Sequence, residues 1–212
     1  MTEDILEGLL DSKIKVRLLK LFLRNPEKQF TLDEICERIQ TDSSSTRYQL
    51  RKLRAVEFLS SSLEQLDEEE EETHASRTKR PTRKRRVHQL NKNFFFYDEV
   101  RALVLKSSPI GKEMVRKEMG PLGKVDYLML SGVFLDNPNA RTDLLMVADN
   151  IDSNKFYRFI KSLESDVGRE VRYTLMAKDE YKYRWSMFDN FVRALHEEPH
   201  EVVVDQLGDD VH

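Results

Sequence analysis

A chain of 212 residues, 39% hydrophobic and 34% charged, can bury two small cores without disulfide staples, and it carries more charge than those cores can pack. Its single cysteine, Cys36, excludes an internal disulfide and multi-cysteine zinc sites, and no run approaches the roughly 18 apolar residues of a membrane span. The net charge of −3 hides a division, because residues 1–92 hold 19 Lys and Arg against 17 Asp and Glu, while residues 93–212 hold 16 against 21. Seven of the N-terminal acids are Glu64 and Asp67 to Glu72, so the rest of that half stands at +9. With Thr2-Glu3-Asp4 in place of a secretory signal, a reducing, cytoplasmic setting without a membrane partner is expected.

From Ser12 to Arg24 the apolar positions Ile14, Val16, Leu18, Leu19, Leu21, Phe22 and Leu23 predict a helix stopped by Asn25-Pro26. Thr31 and Glu34 form a capping-box pattern ahead of Leu32, Ile35 and Ile39, which predicts a second helix. The polar cluster Thr41 to Thr46 favours a turn and a new start, and Leu50, Leu53 and Val56 carry a third helix. Three short helices with a tight turn before the last make a helix-turn-helix. Phe58 to Leu63 and Arg86 to Leu90 then predict a hairpin. Its tip, residues 64–85, holds the acidic run and six basic residues with almost nothing apolar, so a disordered wing tip is expected.

Asp98 to Lys106 and Gly111 to Met119 predict connecting helices, the first packed back on the N-terminal domain, with Gly120-Pro121-Leu122-Gly123 closing the connector. Val125 to Phe134 and Thr142 to Ala148 suit strands around the turn Asp136 to Asn139. Phe156, Phe159, Ile160 and Leu163 mark a helix ending at Gly168, Val171 to Met176 a strand, Lys178 to Phe188 and Asn190 to His196 helices, and Glu201 to Asp205 a last strand.

In a helix-turn-helix the third helix enters the major groove, so its exposed side needs hydrogen-bond donors and cations. With Thr46, Leu50 and Leu53 turned inward, the outward positions are Ser43, Ser44, Arg47, Tyr48, Arg51 and Lys52. Arg47 suits guanine, and Arg51, Lys52 and the serines suit phosphates. An ordinary solvated helix face is the competing reading, and the wing shifts the balance. Arg77, Lys79, Arg80, Arg83, Lys84, Arg85 and Arg86 are placed to follow a minor groove or the backbone, although a basic tract serving only solubility has the same composition. The acidic run beside them can act as an electrostatic gate that competes with DNA for those cations, or as a plain spacer.

Ser12 to Pro26, Phe30 to Ile35, Arg51-Lys52-Leu53 and Gln89 to Phe94 together resemble bacterial and archaeal winged-helix transcriptional regulators fused to a nucleotidyltransferase-like domain, and the second half resembles the minimal nucleotidyltransferase in strand order. Active members of that family carry Gly-Ser after the first strand, two Asp one position apart on the second and a third carboxylate later, to hold divalent metal on the nucleotide triphosphate. By that resemblance the Gly-Ser position here reads Gly132-Val133, with Ser131 on the wrong side. The first Asp falls on Arg141, the second survives as Asp143, and Arg172 stands where the third acid belongs, with Glu170 two residues before it. One carboxylate facing two cations makes a poor magnesium site, so no metal, cofactor or catalysis is expected. The alternative is an active nucleotidyltransferase using Asp143, Glu170 and Asp136.

Arg141, Arg172 and Lys178 can instead accept an anionic or nucleotide ligand, or stand solvated or paired to Asp143. Tyr181, Tyr183, Trp185, Phe188 and Phe191 read as core or interface, and His88, His196, His200 and His212 lack partners at metal-ligand spacing. The expected fold class is α+β: a winged helix-turn-helix over residues 1–92, a helical connector over 93–122, a nucleotidyltransferase-like domain over 123–207 and a loose tail over 208–212. The expected function is sequence-specific regulation of transcription, with double-stranded DNA as partner and a homodimer as the acting form.

Overall fold

Side-chain caps mark out the N-terminal helices of this α+β chain, whose computed structural model describes residues 2–65, 84–106, 112–137 and 139–208. Ser12 Oγ accepts the Lys15 N–H at the start of α2 (Lys13–Arg24). Thr31 and Glu34 close a reciprocal capping box on α3 (Leu32–Ile39), and Asp42 accepts from Ser44 and Ser45 N–H to open α4 (Ser43–Ala55). A further helix, α1 (Thr2–Leu10), precedes them and was not anticipated; it buries Leu6. Val56 departs from expectation. It is the C-cap of α4, outside the helical rotation, and 58% exposed.

A two-residue strand, β1 (Phe30–Thr31), pairs with β3 (Lys84–Leu90), which pairs on its other edge with β2 (Leu59–Gln65), all antiparallel. The β2–β3 register runs from Leu59 opposite Leu90 to Gln65 opposite Lys84, so residues 64, 65, 84 and 85 are strand instead of disordered tip. The remainder of the expected tip, residues 66–83, lies outside the described residues, as do residues 209–212 of the expected loose tail. Leu18, Leu21, Phe22, Ile35, Ile39, Leu50, Leu53, Phe58 and Leu90 form the core of this unit. By the usual value of roughly 1.5–3 kcal/mol per fully buried large apolar side chain, that cluster dominates its stability.

The connector divides between the two cores. Val104 of α5 (Tyr97–Lys106) joins the N-terminal cluster, as expected, whereas Val115 and Met119 of α6 (Lys112–Met119) join the second. The second unit is built on β4 (Tyr127–Leu130), β5 (Leu144–Val147), β6 (Tyr173–Met176) and β7 (Glu201–Asp205) in the order β6-β5-β4-β7. Only β5 and β6 run parallel. The first predicted strand of this unit stops at Leu130. Gly132, at φ +52°, turns the chain into a short 3-10 segment over Gly132–Leu135.

Strand alternation explains why both central strands are apolar throughout. Leu128, Leu130, Leu144 and Met146 face α6 and α7 (Ser153–Val167), while Tyr127, Met129, Leu145 and Val147 face α8 (Lys178–Ser186) and α9 (Asn190–Glu197). Of the aromatic group, Tyr181 is fully buried, but Tyr183 and Phe188 are 64% and 72% exposed. No helix among the described residues is long and apolar enough to cross a membrane.

The two units meet along a seam of α2 and α3 against α7. Gly168, the left-handed C-cap of α7 at φ +80°, lies so close to α2 that a Cβ there would sit 2.6 Å from the Lys20 carbonyl carbon. Asn25 Nδ2 donates to the Gly168 carbonyl at 2.9 Å. Arg17 spans both units, donating from Nε to Asp166 Oδ1 at 2.7 Å and from Nη1 to the Ile39 carbonyl at the end of α3 at 2.9 Å. Arg38 pairs with Glu170 at 2.9 Å.

Candidate nucleic-acid interface

The period of α4 separates its two faces. Thr46, Leu50 and Leu53 are buried, and Ser43, Ser44, Arg47, Tyr48, Arg51 and Lys52 are exposed. Ser44 Oγ donates to Asp42 Oδ1 at 2.6 Å, which fixes the first turn, and those bonds hold the Asp42 carboxyl well below its ordinary pKa. The Tyr48 ring lies under Lys52 Nζ, 4.4 Å from the ring centre, and near the Arg51 guanidinium at 5.7 Å.

Between α4 and the β2–β3 hairpin runs a groove of about 760 Å³ lined by Ser44, Arg47, Tyr48, Arg51, Arg54, Lys84, Arg86 and His88, with Leu32, Leu50 and Leu63 as its apolar parts. It contains five arginine or lysine side chains and no described carboxylate. All five are exposed, and none of them forms an ion pair among the described residues. Arg54 is a groove residue not anticipated from the sequence, although positions 47, 51 and 54 share one helical face at i, i+4 and i+7 spacing. His88 is buried at the groove floor. Burial, then Arg54 and Arg86, depress its pKa to about 4, and its Nδ1 has no hydrogen-bond partner. Lys84, Arg85 and Arg86 project from the paired part of the hairpin, whereas Arg77, Lys79, Arg80 and Arg83 and the acidic run from Asp67 to Glu72 fall outside the described residues.

The second cluster singled out from the sequence is brought together and closed on itself. Asp143 is 2% exposed and accepts four bonds: Val133 N–H at 2.8 Å and Arg172 Nη2 at 2.9 Å on Oδ1, and Arg172 N–H at 2.8 Å and Nε at 3.0 Å on Oδ2. Burial favours the neutral acid, but the Arg172 side-chain and backbone bonds and the Val133 N–H outweigh it, and the carboxyl stays below its ordinary pKa. Gly132 makes this packing possible, since a Cβ there would lie 1.9 Å from Asp143 Oδ1.

Glu170 is turned to Arg38, and Asp136 lies 3.9 Å from Arg24. Ser131 donates to the Pro199 carbonyl at 3.0 Å. Arg141 faces Glu198 at 3.6 Å, and Lys178 pairs with Asp126 at 2.9 Å. The three cations expected as an anion site thus have three separate carboxylate partners. Among the described residues no group of three or more His, Cys, Asp and Glu side chains is arranged to hold a metal ion. The chain matches no protein-family model, no curated protein and no solved structure.

Proposed function

We propose that the protein is a sequence-specific DNA-binding transcriptional regulator acting in the cytoplasm. The N-terminal unit works as a winged helix-turn-helix, with α3 and α4 as the helix pair and the β2–β3 hairpin as the wing. The observation that carries this reading is the groove beside α4, with five cations that form no ion pair among the described residues and no described carboxylate. Duplex phosphates supply the missing charge. Arg47, in the first half of α4, reads guanine in the major groove by a bidentate contact, worth about 1–3 kcal/mol of discrimination. Arg51, Arg54, Lys84 and Arg86 hold phosphates on either side of it.

The second unit is a nucleotidyltransferase-like domain without catalytic activity. The Arg172 guanidinium and two backbone N–H groups occupy all the Asp143 lone pairs that a metal would use, and Arg172 itself stands where a further acidic ligand would be needed. One reading helix per chain is matched to two-fold operators by homodimerisation. Selection of genomic duplex fragments on the purified chain, followed by mobility shifts of the enriched sequence against single-stranded RNA across a salt series, tests the proposal. Enrichment of one motif, bound as duplex with steep salt dependence, is expected. Preference for the RNA strand, or no enrichment, would overturn it.

A further inference from the structure

Along the seam between the units, cations are paired closely. Arg17 meets Asp166 at 2.6 Å, Arg38 meets Glu170 at 2.9 Å and Arg172 meets Asp143 at 2.9 Å. One place breaks the pattern. Two cavities of about 450 and 470 Å³ share Arg24, Pro26 and Arg169 as walls, and the larger is also lined by Arg101. Arg24 ends α2 with a side chain only 11% exposed, its Nε has neither solvent nor a hydrogen-bond partner, and its contact to Asp136 is a loose 3.9 Å to a carboxylate that is itself 90% exposed. Arg101 on α5 and Arg169 after α7 form no ion pair among the described residues. Burial first, and then the like charges of Arg169 and Arg101, push the Arg24 guanidinium below its ordinary pKa, against the opposing pull of Asp136.

A largely buried guanidinium crowded by two more is costly unless an anion joins it. In the lining of the larger cavity, three arginines against one aspartate leave two positive charges, and a phosphomonoester near pH 7 carries about −1.5 to −2. The larger cavity adds an apolar wall that includes Tyr97 and Val133, and its size lies within the usual range for small-molecule sites of about 300–1,000 Å³. We infer that this cleft binds a small phosphomonoester, its phosphate held by Arg24, Arg101 and Arg169 and its organic body against Tyr97 and Val133. The ligand touches α2, α5 and the loop after α7, and so fastens the N-terminal unit to the second one. The inference does not depend on DNA binding.

Isothermal titration calorimetry of the full chain, with thermal melting alongside, tests it using AMP, glucose 6-phosphate, inorganic phosphate and adenosine. The expected result is that at least one ester binds more tightly than inorganic phosphate, raises the melting temperature, and loses about tenfold in affinity in each of Arg101→Gln and Arg169→Gln. Both side chains are exposed, so these variants retain the fold. AMP binding tightest identifies a nucleoside body, and glucose 6-phosphate a sugar. Neither ester binding at millimolar concentration, inorganic phosphate binding as well as both, adenosine binding as well as AMP, or affinity unchanged in the two variants would overturn the inference.

Discussion

Replacing Arg51 and Arg54 together by alanine should alter how DNA affinity responds to salt, by an amount that follows from the groove. Of its five cations, Arg47 is assigned to a base, which leaves Arg51, Arg54, Lys84 and Arg86 to neutralise four phosphates. At about 0.9 per phosphate, these contribute about −3.6 to the slope of log affinity against log salt, an affinity loss of about 150-fold between 50 and 200 mM. The double variant keeps two of the four contacts, with a contribution of about −1.8 and a loss of about 12-fold. Other basic residues contribute equally to both proteins, so the difference of about 1.8 is the quantity to measure. Both side chains are exposed and make no ion pair among the described residues, so the fold should be unaffected within about 0.5 kcal/mol. Fluorescence anisotropy with a labelled duplex at several salt concentrations reads the slope directly. A double variant with the wild-type slope would refute the assignment of these two arginines to phosphates.

Arg47→Ala should leave the salt slope in place and reduce the preference for specific over random duplex by about 1–3 kcal/mol; a uniform loss on both would assign Arg47 to the backbone instead. Gly132→Ala should destabilise the second unit by about 3 kcal/mol or more, because its Cβ meets Asp143 Oδ1 at 1.9 Å in a left-handed conformation, and a wild-type denaturation midpoint would contradict that packing. His88 contributes a pH dependence of known sign. Above about pH 6.5 it is neutral whether folded or not, but as pH falls toward 4 the unfolded chain takes up a proton that the folded one refuses, and stability drops by at most about 1.4 kcal/mol per pH unit. Denaturation of wild type and His88→Asn between pH 7 and 4 should show that slope in the first alone. With labelled ATP or GTP and magnesium or manganese, no nucleotide transfer is expected; transfer abolished by Asp143→Asn would restore the enzymatic reading.

The helices and strands legible in the sequence are those specified by near neighbours. The Thr31–Glu34 capping box, the Asn25-Pro26 stop and the left-handed cap at Gly168 are local devices, and each bounds its element where expected. The inward Thr46, Leu50 and Leu53 and the outward Arg47 and Arg51 follow from helical period alone. Short or context-dependent features escaped. Two residues of β1 have no period to read, and Gly132 ends a run of apolar residues that reads as strand because apolarity does not report φ.

Sequence alone was sufficient for a mixed helical and stranded chain with a basic, outward-facing third helix, because period, caps and residue type act over a few positions. Which charges cancel depended on tertiary structure. Asp143 and Arg172 are 29 residues apart and Arg17 and Asp166 149 apart, and packing turned each into a closed pair. Arg24, Arg101 and Arg169 come from three distant segments, and packing crowded them into one under-neutralised cleft. Electrostatic energy depends on separation in space and on burial, and neither is written in the order of residues along a chain.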